Sequence, residues 1–326
     1  MSTVRFIDHL PADFDDVSLR TDALHGLTGT LKQLPPKWFY DKVGSDLFED
    51  ITRLPEYYPT RSEREILQQR ASTVIRLAGC DTLIELGSGS SEKTRLLLDA
   101  LVGSASLSRG AGYVALDVSE DALRGAALGL SRDYPDLEIT IVRADFESQL
   151  GLLAGQGRRM VAFLGSTIGN LEPQARARFL AEVRSMLAPG EHFLLGADLV
   201  KAERVLVPAY SDAAGVTSAF NLNLLDVLNR RLGADFDRSD FSHVAVWDAR
   251  REWIEMRLRA RRALQVTLPE LALRIGFAAG EELRTEISAK FRRERLASEL
   301  EAAGFAPSGW WTDREDLFSV SLWRAR

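Results

Sequence analysis

The stretch from Thr82 to Thr94, TLIELGSGSSEKT, constrains the fold of this chain more than any other segment. Its first five residues, Thr82–Leu86, form a short apolar run that predicts a buried strand. A loop with Gly87 and Gly89 follows, and a helical pattern begins at Lys93. A strand, a glycine turn and a helix in this order are typical of an α/β sheet that presents backbone N–H groups to a nucleotide-like ligand. Glycine suits the loop because the chain turns sharply and the ligand must approach the backbone.

Two phosphate-binding patterns nearly fit this loop, and both fail at position 92. A dinucleotide fingerprint requires a third glycine there, and the loop of nucleoside triphosphatases requires Gly-Lys-Thr, whereas the chain has Glu92-Lys93-Thr94. A carboxylate would repel a phosphate chain. We therefore expect a nucleoside-like ligand without one. The segment Glu85–Gly89 resembles the first motif of class I methyltransferases, which bind S-adenosylmethionine, although a tight turn of any α/β protein is an alternative interpretation.

Composition limits the remaining classes. The 326 residues suit one large or two ordinary domains, and the formal net charge of -6 argues against a nucleic-acid partner. A single cysteine, Cys80, permits no intrachain disulfide and fits a reducing compartment. No stretch approaches the ~20 apolar residues of a membrane span, and the four histidines lack metal-ligand spacing. We expect a cytoplasmic protein without a signal peptide, a membrane contact or a metal.

Strand and helix patterns alternate between Thr82 and Gly196, which predicts a parallel sheet with crossover helices. The predicted strands are 82–86, 113–117, 137–142, 160–164 and 192–196. Ahead of them, residues 1–59 look loop-rich and outside the sheet. A helix is expected from Ser62, where Ser62 and Glu65 would form a capping box.

The pattern changes after the fifth strand. Residues 201–232 indicate helices, interrupted near Tyr210, and three alternating segments between 243 and 268 predict a small antiparallel sheet. In a later extended segment, Arg284, Glu286 and Ser288 are expected to share one face. A final helix and two strands would close the large sheet with a reversed strand.

Acidic residues follow two of the predicted strands, at the sheet edge where ligands of open α/β sheets bind. Asp117 ends the second strand and could accept both ribose hydroxyls, although a turn or capping role is the alternative. Asp145 and Phe146 follow the third strand, where a carboxylate can bind the adenine amine and the ring can stack. The first and fourth strands should flank the point where strand order reverses, so the loops 87–91 and 165–170 should face each other.

The N-terminal region carries a dense aromatic set. Trp38 and Phe39 are expected in the core, whereas Tyr40 and Tyr57 are better pocket candidates because a tyrosine hydroxyl needs a partner.

These aromatic residues lie in two motifs, LPPKWFYD at Leu34–Asp41 with Gly44-Ser45 and Leu47-Phe48, and TRLPEYYPTR at Thr52–Arg61. Both resemble the L-histidine Nα-methyltransferases of ergothioneine biosynthesis. The similarity continues through residues 84–93, 163–170 and the C-terminal region, so it covers nearly the whole chain.

The resemblance implies a Rossmann-like class I methyltransferase sheet, α/β in class, with a second, α+β domain that binds the substrate. The S-adenosylmethionine-binding domain would comprise residues 61–200 and 289–326, and the substrate-binding domain residues 1–60 and 201–288. The implied reaction transfers three methyl groups from S-adenosylmethionine to the α-amine of histidine, giving hercynine. The implied partners are histidine and its methylated intermediates. We expect the protein to be a monomer.

The resemblance also implies the site residues. The expected cofactor contacts are Gly87, Ser88, Gly89, Lys93, Asp117, Asp145 and Phe146. Tyr40, Tyr57, Asn170 and Tyr210 are expected to contact the substrate amine and carboxylate, with Tyr40 and Asn170 as the catalytic pair that orients the amine lone pair. Met256, Glu286 and Ser288 would surround the substrate side chain, and the alternative for Glu286 is a solvated or ion-paired strand residue.

Three other functions remain open at this point. A methyltransferase of the same family could act on another amino acid, such as a tryptophan derivative, although an apolar ring has less use for Glu286. A non-catalytic S-adenosylmethionine sensor would not need Tyr40 and Asn170. A nucleoside triphosphatase is opposed by Glu92.

Overall fold

The computed structural model describes residues 4–89, 91, 93–104, 110–118, 120–145, 149–150 and 157–326. Contacts divide the chain into two compact units. The first, here called the sheet unit, comprises Met1–Leu10, Arg61–Leu199 and Phe291–Arg326. The second, called the insertion unit, comprises Pro11–Thr60 and Val200–Lys290.

The described strands and helices are numbered in chain order. The strands are β1 (Val4–Asp8), β2 (Thr82–Leu86), β3 (Ala111–Asp117), β4 (Leu137–Arg143), β5 (Arg159–Phe163), β6 (His192–Asp198), β7 (Phe241–Asp248), β8 (Trp253–Ala260), β9 (Leu264–Leu268), β10 (Leu273–Phe277), β11 (Glu282–Ala289), β12 (Phe305–Thr312) and β13 (Phe318–Ala325). The helices are α1 (Phe14–Thr28), α2 (Lys42–Arg53), α3 (Tyr58–Ala78), α4 (Thr94–Val102), α5 (Glu120–Asp133), α6 (Pro173–Met186), α7 (Glu203–Tyr210), α8 (Val216–Leu232) and α9 (Arg293–Ala302).

The sheet unit is built on one large sheet with the strand order β1-β4-β3-β2-β5-β6-β13-β12. Its strands pair in parallel except for β13, which runs antiparallel to both β6 and β12. Strand β2 lies between β3 and β5, so the order in which the chain fills the sheet reverses at β2. The parallel sheet, its reversed strand and the position of the reversal are therefore confirmed.

Both faces of this sheet are covered, which explains why its strands are apolar nearly throughout. On one face, helices α3, α4 and α5 join the strands in one apolar core, for example through Val74, Leu98 and Leu130. On the other face, the Phe163 ring of β5 packs against Phe179 of α6, with 4.7 Å between the ring centroids. All five residues of β2 are buried.

The prediction that residues 1–59 lie outside the sheet is wrong at its N-terminal end. Strand β1 pairs in parallel with β4, from Val4 opposite Ile139 to Asp8 opposite Arg143. The Arg143 guanidinium also donates to the Asp8 carboxylate at 3.3 Å. Because β1 lies at the edge of the sheet, it stays half-exposed and carries little apolar signal.

The expected capping box at Ser62 is also wrong. Helix α3 begins at Tyr58, four residues earlier, and Pro59 is tolerated in its first turn. Ser62 therefore lies within the helix, where its hydroxyl bonds the Asp313 carboxylate at 3.3 Å.

The insertion unit contains the predicted three-stranded antiparallel sheet, but its third strand is β11 and not β9. Strand β8 lies between β7 and β11, whereas β9 pairs with β10 in a separate two-stranded ribbon. The segment 264–268, which is β9, was predicted to join β7 and β8 in one sheet. The short turn after β9 instead favours pairing with the next strand, β10. Helix α8 packs against β7 and α2. No helix in the described part of the chain is long and apolar enough to cross a membrane.

Candidate active site

The glycine loop of the sheet unit forms a tight turn at the end of β2. Gly87 and Gly89 have φ angles of 67° and 49°, a region that favours glycine. The N–H groups of Gly87 and Ser88 both donate to the Leu116 carbonyl of β3, at 2.8 and 3.1 Å. The Gly89 N–H donates to the Asp117 carboxylate at 3.0 Å. The loop and Asp117 thus form one hydrogen-bonded group at the carboxyl ends of β2 and β3.

The Ser88 hydroxyl supports a ligand at this loop. It is buried and has no hydrogen-bond partner among the described residues. A buried hydroxyl without a partner loses the hydrogen bonds that water would give it. Gly87 and Gly89 carry no side chain, and a Cβ built on either would meet nothing within 4 Å. Open space, an unpartnered hydroxyl and the Asp117 carboxylate fit a polar nucleoside-like ligand.

A buried acid next to the glycine loop, Glu85, connects β2 to β3 and α4 through hydrogen bonds. The Glu85 carboxylate of β2 accepts a hydrogen bond from Tyr113 of β3 at 2.5 Å and another from Thr94 of α4. The Tyr113 hydroxyl also lies 3.0 Å from the hydroxyl of Ser91 in the loop. Burial raises the pKa of Glu85 to about 7, although both hydroxyl donors and the nearby Lys93 oppose the rise. The sequence shows Glu85 only as part of the glycine-loop motif, because its hydrogen bonds to Thr94 and Tyr113 form only when α4 and β3 pack beside β2.

Lys93 has a partner that the sequence did not reveal. Its ammonium forms an ion pair with Glu63 of α3, a carboxylate with no exposed surface. Glu63 also accepts from the Gly165 N–H, at 2.8 and 3.1 Å to its two oxygens. A Cβ at Gly196 would lie 2.0 Å from Glu63 Oε1, so β6 needs glycine there. Glu63 therefore joins the segment after β2 to the loop after β5.

The remaining predicted residues of the sheet unit lie at the same edge. Asp145 follows β4, and its N–H donates to the Gln149 side chain at 3.0 Å. Phe146 lies outside the described residues. Asn170 ends a short helix, Thr167–Asn170, which follows Ser166 at a φ of 60°. The loops after β2 and β5 are thus on adjacent strands.

In the insertion unit, the predicted tyrosines belong to an aromatic cluster. The Tyr40 ring lies 5.4 Å from Phe48 and 5.7 Å from Phe220, both edge-on. The Tyr57 ring lies 6.2 Å from Phe48 and 6.4 Å from Tyr210. Tyr40 remains 41% exposed.

A polar cluster in the same unit contains Tyr210, Ser288 and Lys290. The hydroxyls of Tyr210 and Ser288 are 2.8 Å apart, and Lys290 Nζ donates to both, at 2.7 and 2.8 Å. Lys290 is only 2% exposed. A single sequence does not reveal this lysine as a site residue, because the burial of a charged residue after a strand leaves no signal there.

Glu286 and Met256 pair directly across β11 and β8. Burial raises the pKa of the Glu286 carboxyl to about 7, and the positive charge of Lys290 opposes the rise. Within the described part of the insertion unit, no hydrogen bond or ion pair holds this carboxylate. The alternative of an ion-paired strand residue is therefore not what the structure contains.

The expectation that Arg284 shares the face of Glu286 and Ser288 is wrong. A register shift between Arg284 and Glu286 interrupts the strand alternation, and Arg284 pairs with Arg257 instead. Its guanidinium lies 3.6 Å from the Glu255 carboxylate, on the face opposite Met256. The bulge places Arg284 on the opposite face. Glu286 and Ser288, the two candidate contacts of the substrate side chain, remain on one face.

A further buried network positions Tyr210 through its backbone. The Asn221 amide donates to Nδ1 of His243 at 2.8 Å, so Nε2 carries the proton and donates to the Tyr210 carbonyl at 2.8 Å. Thr285, the extra residue at the bulge, donates to the Asn221 oxygen at 2.7 Å. Burial lowers the pKa of His243, which favours this neutral form. The described residues include no group of three acidic, histidine or cysteine side chains that could hold a metal ion.

Comparisons with known proteins show which proteins this chain resembles. The chain is 53% identical over 320 residues to the histidine N-alpha-methyltransferase of Mycolicibacterium smegmatis, covering 98% of this chain and 99% of that protein. It is 50% identical over 319 residues to the protein of the same name from Mycobacterium tuberculosis, covering 98% of each. A 4-dimethylallyltryptophan N-methyltransferase of Claviceps purpurea is 30% identical over 206 residues, covering 60% of this chain and 59% of that protein.

A family model described as a histidine-specific methyltransferase, SAM-dependent, matches residues 19–325, which include both units. The glycine loop with its unpartnered Ser88 hydroxyl and the Glu286–Ser288 face are both within the matched range. The chain therefore belongs to the family of histidine-specific, S-adenosylmethionine-dependent methyltransferases.

Proposed function

We propose that this enzyme transfers three methyl groups in succession from S-adenosylmethionine to the α-amine of L-histidine, giving hercynine in the first step of ergothioneine biosynthesis. One observation carries the proposal: the similarity to two histidine N-alpha-methyltransferases extends through the insertion unit, where Glu286 and Ser288 lie. The alignments cover 98% of this chain, and 99% and 98% of the two relatives.

For the methyl donor, we propose a site at the carboxyl edge of the large sheet. Gly87, Ser88 and Gly89 would bind it through the loop, and Asp117 would accept the ribose hydroxyls. Asp145 and Phe146 would hold the adenine. Lys93 would act from its ion pair with Glu63, so its contribution includes fixing the loop after β5.

For the amino acid, we propose contacts to both of its ends. Tyr57 and Tyr210 of the insertion unit and Asn170 of the sheet unit would bind the amine and carboxylate, and Met256, Glu286 and Ser288 would surround the imidazole. The supporting geometry is a carboxylate beside a hydroxyl on one face of β11, next to the apolar Met256. Imidazole offers one N–H and one ring nitrogen with a lone pair, which match these two groups.

S-adenosylmethionine supplies a sulfonium-bound methyl group that an amine lone pair can take by in-line displacement. The residues therefore have to orient a neutral amine rather than activate the methyl group. We assign this orientation to Tyr40 and Asn170. An α-amine has a pKa near 8 in peptides, so a fraction of the substrate amine is already neutral near pH 7, and water can carry its proton away. Each transfer replaces an N–H with a methyl, and the proton leaves before the next transfer.

The last product is a fixed cation without N–H groups, which gains nothing from a hydrogen-bond acceptor. Aromatic faces attract a quaternary ammonium. The Tyr40, Phe48 and Tyr57 rings offer such faces within one cluster, which supports successive methylation in this unit.

The test is a substrate panel with detection of products by mass. Wild-type protein is incubated with S-adenosylmethionine and, separately, with L-histidine, L-tryptophan and 4-dimethylallyltryptophan. Histidine should gain three methyl groups, and both indoles should be poor substrates because the Glu286 carboxylate then faces an apolar ring edge. Preferred methylation of an indole would refute the histidine assignment. Binding of S-adenosylmethionine without any turnover would support a sensor instead.

We further propose that the enzyme acts as a monomer in the cytoplasm on free histidine, without nucleic acid. The acidic net charge supports the absence of a nucleic-acid partner, and the single buried cysteine supports a reducing compartment. Light scattering of the protein with and without both substrates should give the mass of one chain.

A further inference from the structure

One buried asparagine of the insertion unit connects helix α8 to three strands. Asn221 is fully buried. Its amide nitrogen lies 2.8 Å from Nδ1 of His243 on β7 and 3.2 Å from the Arg257 carbonyl on β8. Its amide oxygen lies 2.7 Å from the Thr285 hydroxyl on β11. An asparagine side chain offers two N–H donors and one accepting oxygen, so Asn221 uses all of them on these strands.

The Arg257 carbonyl fixes the orientation of this amide. A carbonyl only accepts hydrogen bonds, so the nitrogen of Asn221, and not its oxygen, must face β8. The Tyr210 carbonyl also only accepts, so the His243 ring must carry its proton on Nε2, which lies 2.8 Å from that carbonyl. Nδ1 of His243 then accepts from Asn221, and the Asn221 oxygen accepts from Thr285. Each hydrogen bond of the network therefore has one direction.

The Thr285 end of the network lies at the bulge of β11. Arg284 pairs with Arg257 and Glu286 pairs with Met256, so Thr285 is the extra residue in the register. Thr285 is fully buried, and its hydroxyl also lies 3.0 Å from the Met256 carbonyl. A slip of the register by one residue would turn the Glu286 side chain to the other face of the sheet. The hydroxyl of Thr285 and the amide of Asn221 thus hold the register that places Glu286.

The other end of the network holds the backbone of Tyr210, the last residue of α7. Burial lowers the pKa of His243, although the Tyr210 carbonyl and the nearby Asp212 carboxylate oppose this, so the ring that makes the connection is neutral at pH 7. In the proposed amino-acid site, Tyr210 contacts the amine and carboxylate end and Glu286 contacts the imidazole. Both contacts therefore depend on the position of one asparagine.

We propose that Asn221 is a positioning residue that sets both ends of the amino-acid site, Glu286 through the bulge and Tyr210 through His243. The inference rests on the proposed histidine function and extends it to a residue that has no exposed surface for the substrate. Without the amide, its buried partners would lose their hydrogen bonds and would have to move to find others. The loss should fall on histidine binding and not on S-adenosylhomocysteine, whose proposed site is in the sheet unit.

The test removes parts of the network and measures histidine affinity by calorimetry, with S-adenosylhomocysteine present in place of the methyl donor. Thr285→Val keeps the shape of the side chain but lacks the hydroxyl, and it should weaken histidine binding about tenfold. Thr285→Ser keeps the hydroxyl and should stay within about twofold of the wild type. Asn221→Leu also releases His243, so it should weaken binding about a hundredfold.

A double-mutant cycle with Glu286→Ala distinguishes positioning from general damage. In the wild type, Glu286→Ala should weaken histidine binding about tenfold, but in Thr285→Val it should add less than about twofold, because the carboxylate has already lost its position. Equal losses in the two backgrounds would mean that the residues act independently, which would overturn the inference. If the wild type does not bind histidine at all, the proposed function itself fails, and that result is distinct from additive losses.

Asn229→Leu is the matched control on the same helix. The Asn229 side chain bonds the N–H and the carbonyl of Phe236, at 2.9 and 2.8 Å, in the loop that follows α8. This variant should bind histidine within about twofold of the wild type. The affinity for S-adenosylhomocysteine should stay within about twofold in Thr285→Val. A parallel loss of both ligands in Thr285→Val would overturn the inference, since it would indicate general damage.

A second measurement applies even if Asn221→Leu does not fold. The chain has four histidines, so a variant with His9→Gln, His25→Gln and His192→Gln retains only His243. Nitrogen NMR of this variant, labelled in its histidine ring, reports which ring nitrogen carries the proton. Near pH 7.5, Nε2 of His243 should be protonated and Nδ1 unprotonated. A proton on Nδ1 would leave no acceptor for the Asn221 amide and would contradict the inference.

Discussion

Glu286 faces Met256 across strands β11 and β8, so a carboxylate and an apolar side chain occupy neighbouring positions on one face of the small sheet. The insertion unit offers this carboxylate no hydrogen-bond donor among its described residues, and burial raises its pKa to about 7. An acid held in this way gains more from a ligand donor than a solvated acid does. The pair therefore fits a flat ring that carries an N–H.

Glu286→Ala should weaken histidine binding by about 1–3 kcal/mol, because a ring N–H would lose its charged acceptor. Calorimetry at about pH 8, where the carboxyl of the wild type is mostly ionised, measures the change. Glu282→Ala on the same strand is the control, since its carboxylate pairs with Arg257 and Arg259. Unchanged affinity in Glu286→Ala would remove Glu286 from the site.

The raised pKa of Glu286 also predicts that the stability of the protein depends on pH. Its folded pKa of about 7 exceeds the ordinary value of 4.5, so between these values the folded chain keeps a proton that the unfolded chain releases. The free energy of unfolding therefore falls as pH rises through this window. Glu286→Gln should stabilise the protein on the order of 2 kcal/mol at about pH 8 and hardly at all near pH 4.5.

Urea denaturation of both proteins at the two pH values checks this prediction. The difference between variant and wild type isolates Glu286 from Glu85, whose pKa is also raised to about 7. An equal increase in the free energy of unfolding at both pH values would mean that ionisation of the Glu286 carboxyl does not destabilise the folded protein.

The large sheet could be predicted because burial on both faces leaves its inner strands almost continuously apolar, as in β2. Strand β1 could not, because an edge strand needs no such run and its partner β4 lies more than 130 residues further along the chain. The position of Arg284 was mispredicted for a different reason. One extra residue, Thr285, shifts the register, and its buried hydroxyl bonds Asn221, which lies more than 60 residues earlier in the chain.

Residue type and order are sufficient to propose the glycine loop, Asp117 and Glu286 as candidate site residues. Two buried charged residues near them could not be predicted. Glu63 and Lys290 are both buried, and each acquires its partners only when distant segments come together. A single sequence shows a lysine or a glutamate but not whether water reaches it.

Tyr113→Phe should destabilise the sheet unit by about 1–3 kcal/mol, because the fully buried Glu85 carboxylate would keep Thr94 but lose one of its two hydroxyl donors. Tyr134→Phe is the matched control, since the Tyr134 hydroxyl donates to Asp99 at 2.7 Å in an exposed position. Its cost should stay below about 1 kcal/mol. Chemical denaturation compares the two variants. Equal losses in the free energy of unfolding would contradict a stabilising role for the buried hydrogen bond between Tyr113 and Glu85.

Gly196→Ala should destabilise the protein by about 2–5 kcal/mol, because the new Cβ would overlap Glu63 Oε1 and disturb the Glu63–Lys93 ion pair. The variant should also bind S-adenosylhomocysteine more weakly, since Glu63 holds Gly165 in the loop after β5. Gly125→Ala is the opposite case within α5, where a Cβ meets nothing within 4 Å.

Gly125→Ala should therefore stabilise the same unit by about 0.5–1 kcal/mol through its higher helix propensity. Denaturation curves and equilibrium dialysis of both glycine variants provide the measurement. If Gly196→Ala changes neither the free energy of unfolding nor the affinity for S-adenosylhomocysteine, Glu63 can move away from position 196 without affecting the site.

The proposed activity is tested most directly by locating the transferred methyl groups. Wild-type protein is incubated with L-histidine labelled at its α-nitrogen and with S-adenosylmethionine labelled at its methyl carbon, and the product is examined by mass spectrometry and NMR. We expect three equivalent methyl groups, each coupled to the labelled α-nitrogen. Methyl groups on the imidazole ring, or no methylated histidine at all, would contradict the proposal.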